Sequence, residues 1–416
     1  MSSNRREVST AAELIAAARD ASVGRIVISA DLTGVPALRL SPGQTLTASD
    51  LNKTIRFADG QDGIQLSANN TVENLQLITT PDKRVLFNDT TVDDFGRFDL
   101  RNVKLTGVTL LLAADRIRAG HVDAHNIDIV SADARWYNVR PKGYGVEVIP
   151  GAFTLWNQQL DSAVTITADL TALRAGRPKA PVFGSGIFVG GAGDTGGKLV
   201  VHRLETLGVY SQGGIAQGTP DRISGGVFTV YGAFVDTVHT FGPVTTYGPN
   251  DMVLDNWGVV DRWISEEKIT SHGPSGIGFV NFGTINLLQI KAPIETFGLG
   301  ARGFNVYSGT VKSAEFERIV THGDGAVGIQ ISQPVGDITV LRGIETFGGT
   351  GESLVKGVVT KLSAIALSMK PGGSVRKLDI AGGLTTHGPG IAPLELHGNV
   401  ELLHITGGTS ALGDRV

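Results

Sequence analysis

TYGPNDMVLDNWGVVDRWISEEKITSHGPSGIGFVNFGTINLLQIKAPIETFGLG, residues 246–300, decides the fold. A Thr/Ser-x-Gly triplet opens this stretch at Thr246 and returns at Ser271 and Thr296, 25 residues apart each time. The same step leads on to Thr321 and Thr346. The triplet also stands at Thr206 and Thr386, forty residues before and after that series, which reads as one turn of 25 with 15 inserted. Fixed apolar columns accompany it. Two positions before the triplet stand Leu204, Val244, Ile269, Ile294, Ile319, Ile344 and Leu384, all aliphatic. Eight positions after its first residue stand Leu254, Phe279, Phe304, Ile329, Leu354 and Leu394, all large and apolar. Gly278, Gly303 and Gly328 sit directly before three of these.

Short apolar strands punctuated by Gly and Pro, with no helical period, cannot bury their side chains within one repeat. The solution is a chain that coils, each turn stacking on the last at ~4.8 Å so that identical columns pack in line. The expected fold class is all-β, a parallel β-solenoid of about 25 residues per turn with an N-terminal capping helix. Leucine-rich repeats need their own Leu/Asn pattern, and propeller blades run to ~40 residues.

Composition agrees. Glycine takes 56 of 416 positions, about twice the usual ~7%. The hydrophobic fraction of 41% is ample for a core and excludes a disordered chain. A net charge of −4 leaves no basic surplus for a phosphate backbone, so no nucleic-acid partner is expected. With no cysteine there is no disulfide scaffold, thiolate nucleophile, zinc ribbon or iron–sulfur cluster. No apolar run is long enough for a membrane span. The N-terminus MSSNRREVSTAAELIAAARDA lacks a signal peptide's apolar core, which suits a cytoplasmic protein or a mature form with its leader removed. Walker A, HExxH, GxSxG and dinucleotide fingerprints are absent, and no cofactor is expected.

The turn length, its T-x-G ending, the capped segment Glu7–Ser22 and the passage DGIQLSANNTVENLQL from Asp62 to Leu77 are similar to the pectin-lyase-like superfamily. The resemblance covers most of the chain as architecture. It implies a right-handed parallel β-helix of the kind that acts on polysaccharides, and it carries no catalytic residue over. One elongated domain, 1–416, is expected: a cap helix over 1–24, less regular turns over 25–181, and regular turns over 182–416 with insertions near 209–226 and 360–382.

The most unusual turn is 246–270. It holds Asp251, Asp255, Asp261, Glu266 and Glu267 and two of the four tryptophans, Trp257 and Trp263. If Leu254 points inward, Asp255 and Trp257 point outward, with Val253 and Asp251 on that face if the strand extends so far. Stacking then aligns Tyr231, Trp257, Phe282 and Tyr307 in an outward column, beside Thr229, Asp255, Val280, Asn305 and Gln330. The glycines before the apolar column would leave the floor open. Trp156, in FTLWN, extends the column if that segment matches FTVYG at Phe228–Gly232. Rings beside acids and amides suit a sugar, whose C–H face they cover and whose hydroxyls they bind. The alternative is that these stacks and ladders are purely structural.

The preferred chemistry is hydrolysis or transfer at a glycosidic bond of an oligo- or polysaccharide, which needs two carboxyls about 5–9.5 Å apart. Asp255 is first choice and Asp251 second. On one extended strand these two would be about 13 Å apart, so a bend at Asn250, or Asp221, Asp236 or Glu266 as partner, would be required. His272 is a further acid/base candidate within the ring column Tyr247, His272, Phe297, His322, Phe347 and His387. His121, Asp123 and His125 share a strand face with zinc-compatible spacing but lack further ligands, so no metal is expected. Two alternatives remain. One is a calcium-dependent uronate lyase or epimerase. The other is a non-catalytic structural or glycan-binding β-helix, with a homo-oligomer, a trimer for instance, as a further expectation.

Overall fold

The computed structural model describes residues 4–355 and 357–413, and the chain winds into a parallel β-helix. A regular coil carries three strands, for example Val259–Ser265, Ile269–Ser271 and Ile277–Asn281. Each pairs in parallel with its counterpart one coil on, as in Val260↔Ile285, Ile269↔Ile294 and Phe279↔Phe304. The first two kinds of strand merge where long strands such as Lys198–Gln212 bend round a corner, giving a 25-stranded sheet. The third kind forms a 15-stranded sheet, here the second sheet. Among the described residues no helix is long and apolar enough to cross a membrane.

The first and last positions of the triplet have structural roles. In some coils its hydroxyl closes the corner: Thr321 Oγ1 donates to the Ala326 carbonyl and Thr386 Oγ1 to that of Ile391, both at 2.7 Å, whereas the Ser271 and Thr296 hydroxyls are buried without a partner. Its glycine lies against the glycine of the neighbouring coil. A Cβ on Gly298 would stand 1.9 Å from the Gly273 carbonyl oxygen, so no side chain fits there. Between coils, Asn256 and Asn281 form an amide ladder at 2.8 Å, which satisfies backbone-like polar groups at a buried corner.

Register corrects several expectations. Val209, not Leu204, pairs with Val244, and Thr206 pairs with Thr240, so the triplet at Thr206 belongs to a different strand column. Ile329 pairs with Leu367 rather than with Leu354, because Leu354 lies in an inserted antiparallel hairpin, Thr350–Val355 with Val358–Ser363. That hairpin is the second insertion. Most of 360–382 is ordinary coil, with strands Leu367–Met369 and Ser374–Ile380. The first insertion is narrower than 209–226, because strands reach Gln212 on one side and begin at Arg222 on the other. At the N-terminus the helix spans only Ala11–Arg19, capped by Thr10 and Glu13, and the strand Asn4–Val8 before it pairs with Val23–Ile28. Leu14, Ala17 and Ala18 are buried over the first coil.

Gly278, Gly303 and Gly328 do not open a groove floor. They face the interior, where an added Cβ would meet a methyl of Ile294, Ile319 or Ile344 at 2.3–2.4 Å. Val253 occupies the same position one coil earlier and packs in the interior cluster, not on the outer face with Asp255.

Candidate functional site

The aromatic column assembles outside the coil, on the second sheet. Trp257 touches Tyr231 and Phe282 at centroid distances of 5.7 and 5.8 Å, and Phe282 touches Tyr307 at 5.3 Å. In the adjoining column Asp255 pairs with Val280, and Asn305 with Gln330, but its partner on the preceding coil is Phe228; Thr229 pairs with Asn256. The rings are nonetheless covered. Tyr144 stacks on Phe282 at 4.3 Å and meets Trp257 edge-on at 5.1 Å, while Val146 and Val355 pack on the same cluster. A strap through Lys142–Gly143 and Val146–Val148 is pinned by the Tyr231 hydroxyl, which donates to the Lys142 carbonyl at 2.9 Å. Trp257 is 3% exposed. Trp156 joins this outer cluster through Phe188, with its indole donating to the Gly191 carbonyl at 2.9 Å. Trp263 is inside the coil, edge-on to Phe279 at 4.9 Å, where no substrate reaches it.

The acids divide. Asp251 is fully buried and accepts from Ser224 Oγ at 2.6 Å, from the Gly248 amide at 2.7 Å and from the Gly213 amide at 3.1 Å. A Cβ at either glycine would crowd this carboxyl, at 2.6–2.7 Å. Burial pushes Asp251 up to about 6, against the pull of those three donors. Asp255 is equally buried, yet neither of its oxygens has a hydrogen-bond partner. Burial pushes its carboxyl well above the usual carboxylate range, and the nearby Trp257 indole, without good hydrogen-bond geometry, offsets this only in part. Asp236 is exposed on the first sheet. Glu266 is also there, tied at 2.8 Å to both Lys291 and His239, which hold it low. Neither approaches the aromatic column.

The rings from Tyr247 to His387 form a continuous exterior stack, with interplanar angles of 12° or less. His272 lies within it, its pKa lowered by burial and then by Lys268. In the first sheet His121 and Asp123 do come together, but with Asp169 rather than His125; the three ligand atoms lie within 4.8 Å of one another. Asp123 is already paired with Arg97 and with His121 at 2.9 Å, and Asp169 with His202 and Arg203. Arg97 and Arg203 thus already pair with the two aspartates of this cluster.

The site that the sequence did not reveal is an open cleft of about 800 Å³ on the outer face of the second sheet, nearer the N-terminus. Its floor comes from strands Ile64–Leu66, Arg84–Asn88 and Val108–Ala113. Its wall comes from Trp136 and Tyr137, edge-to-face at 5.6 Å, on the loop that leads into the strap. Trp136 is 41% exposed. Arg84 lies over the Phe87 ring at 4.0 Å and is paired with Asp62. Asp89 is bound by Arg39 at 2.6 Å and by the Thr91 hydroxyl at 2.7 Å. Although burial pushes Asp89 up, Thr91 and Arg39 together hold it below the usual carboxylate range, and the Thr80 hydroxyl does the same for Asp82. Asp115 and Gln158 complete the polar rim. No repeat column marks this cleft, because its wall is a single irregular loop. The dipeptide Trp136-Tyr137 was its only signal.

These features define a parallel β-helix with a covered aromatic strip and an open polar–aromatic cleft on the same sheet. No family model, curated protein or solved structure matches the chain, so the architecture rests on its strand pairing.

Proposed function

We propose that this protein binds a glycan chain in the cleft beside Trp136. The observation that carries the reading is the exposed Trp136, backed by the half-buried Tyr137, in an open cleft lined also by Asp62, Asp89, Asp115 and Gln158. An indole face covers a sugar's C–H surface, while carboxylates and amides take its hydroxyls. Binding is favoured over cleavage here. Glycosidic hydrolysis needs a carboxyl that still carries its proton at the working pH. In the cleft Asp82 and Asp89 are held low and Asp62 is committed to Arg84.

One observation favours turnover instead: burial pushes the Asp255 carboxyl well above the usual carboxylate range, the direction a general acid needs. Using it would require the strap at Tyr144 to lift, and Asp251 is engaged elsewhere. The test is affinity electrophoresis against neutral and uronate-containing polysaccharides, with released sugars assayed in parallel. Trp136→Ala should weaken retention at least about tenfold, whereas Asp255→Asn should leave it unchanged. Equal retention of wild type and Trp136→Ala would refute the cleft assignment. Sugar release abolished by Asp255→Asn would favour the enzyme.

A further inference from the structure

A second recess adjoins the open cleft, and the two share Trp136 and Asp82 as lining residues. Its chemistry is different. Arg135, Arg140 and Arg222 line it, together with the inserted loop at Gly213 and Gly214. Its two acids are already committed: Asp133 holds Arg135 through both oxygens, at 2.6 and 2.8 Å, and Asp82 is paired with Lys83 at 3.3 Å. Two guanidinium groups remain. Arg140 is fixed by the carbonyls of Tyr137 and Arg135, to which it donates from Nε at 3.2 Å and from Nη2 at 2.9 Å. Its Nη1 has only Glu147, at 3.9 Å, and Glu147 is held more closely by Lys142, at 2.6 Å. Among the described residues nothing accepts from the Arg222 guanidinium. Its Nε is buried without a partner; its terminal nitrogens are not, and they supply the donors open to the recess.

We infer that this recess takes a tetrahedral oxyanion carried by the bound glycan, a sulfate or phosphate ester, held by Arg140 and Arg222. The inference rests on the cleft reading, because a chain lying against Trp136 borders both spaces. Arginine keeps its charge at any working pH, so the two guanidinium groups stay cationic where they stand. Burial, and then the neighbouring Arg222, pull Arg140 below the usual arginine range, as expected of two like charges held near each other. An anion relieves that repulsion. The geometry selects its shape. Side-on recognition of a planar carboxylate uses the Nε edge of a guanidinium as one arm of a fork. Here that edge of Arg140 is spent on carbonyls, and the Nε of Arg222 is buried. Single donors from two separate segments suit an ester whose three terminal oxygens point in different directions. The cleft acids do not oppose it, since Asp62 and Asp89 are paired with Arg84 and Arg39.

The test has two arms. The first reads the thermal unfolding midpoint in sodium sulfate, phosphate, acetate and chloride at equal ionic strength. Sulfate and phosphate stabilise folded proteins in general, so the quantity read is the gain of wild type over that of Arg222→Gln. Both tetrahedral anions should raise wild type more than the variant, and acetate should not. Arg222→Gln removes a guanidinium that no described residue engages, and Arg222→Lys, which keeps the charge, should restore part of the gain. The second arm is affinity electrophoresis on dextran, dextran sulfate, dextran phosphate and carboxymethyl dextran of equal substitution. Wild type should be retained about tenfold more strongly by an ester than by the carboxymethyl polymer, and Arg222→Gln should lose that preference. The ester retained more strongly identifies the source. Three results would overturn the inference: equal gains in wild type and Arg222→Gln, acetate matching sulfate and phosphate, or an ester preference undiminished in Arg222→Gln. The first arm contains no glycan. An Arg222-dependent gain there, with retention untouched by Trp136→Ala, would refute the cleft reading and leave the oxyanion site standing.

Discussion

Arg302→Met should loosen the hairpin Thr350–Ser363 while leaving the coil beneath it intact. Arg302 is fully buried on the second sheet and donates to Ser353 Oγ at 2.6 Å, with longer contacts of 3.4–3.5 Å to the Leu354 carbonyl. Two other ties survive the substitution: Ser353 Oγ to the Gly300 carbonyl at 2.7 Å, and the Leu354 amide to Ser275 Oγ at 3.0 Å. A hydrogen bond to a charged group contributes about 1.5–3 kcal/mol. Part of this is offset, because the variant also removes a buried Arg302 Nε that has no acceptor. The net loss is about 1–2 kcal/mol, which multiplies the open fraction of the hairpin about 5- to 30-fold. Methionine keeps an apolar stem against Tyr307, so the loss is confined to the polar tie. Hydrogen exchange resolved by peptide reads this directly. Amides in 350–363 should exchange about 5- to 30-fold faster, while those of the coil strands Val327–Ile331 and Pro334–Val340 keep their protection. Unchanged exchange in the hairpin, or equal acceleration in both regions, would refute the reasoning.

Three further outcomes follow from the same geometry. Gly303→Ala should destabilise the helix by about 1–3 kcal/mol in denaturant titrations, because its Cβ would stand 2.3 Å from Ile319 Cγ2 and 2.6 Å from the Gly328 carbonyl. An unshifted midpoint would show that the coil spacing yields more easily than its packing implies. Thr321→Val should cost about 1 kcal/mol through loss of the 2.7 Å bond to the Ala326 carbonyl, with the fold unchanged by circular dichroism. Asp251 has a folded pKa raised from 3.8 to about 6, so the stability it contributes is fully present below 3.8 and lost as pH rises through about 6. Between pH 4 and 7 the wild type should therefore lose up to about 3 kcal/mol relative to Asp251→Asn, at ~1.4 kcal/mol per pH unit; stability curves that run parallel for the two proteins across that range would contradict it.

How much of this was legible in the sequence depends on whether a residue's neighbours repeat. Thr246, Ser271, Thr296, Thr321 and Thr346 occupy equivalent corners, so one spacing fixed their pairing and that of Val244 and the isoleucines two positions earlier. Trp257 and Phe282 point outward, as alternation from Leu254 and Phe279 required. The errors begin where the period breaks. Leu354 fits the eight-position rule by number, but the inserted hairpin lifts it out of the coil, and Leu367 takes its place. The glycines before the column face inward because two consecutive residues, Val253 and Leu254 in one coil, both pack inside, which strict alternation forbids.

Burial of the outward column was the least legible feature. Tyr144 stands 138 residues before Phe282, and no periodicity couples two segments that meet only by a strap crossing the outside of the coil. The same strap and its leading loop explain why one outward face yields two unlike sites. Where the loop stands off, at Trp136, the rings and acids remain open to a long solute. Where the strap lies down, at Tyr144, rings of the same sheet become a second apolar core and strand Asp255 without a partner. The coil therefore supplies a uniform outer surface, and its irregular coverings, not its repeats, determine what each part of that surface can bind.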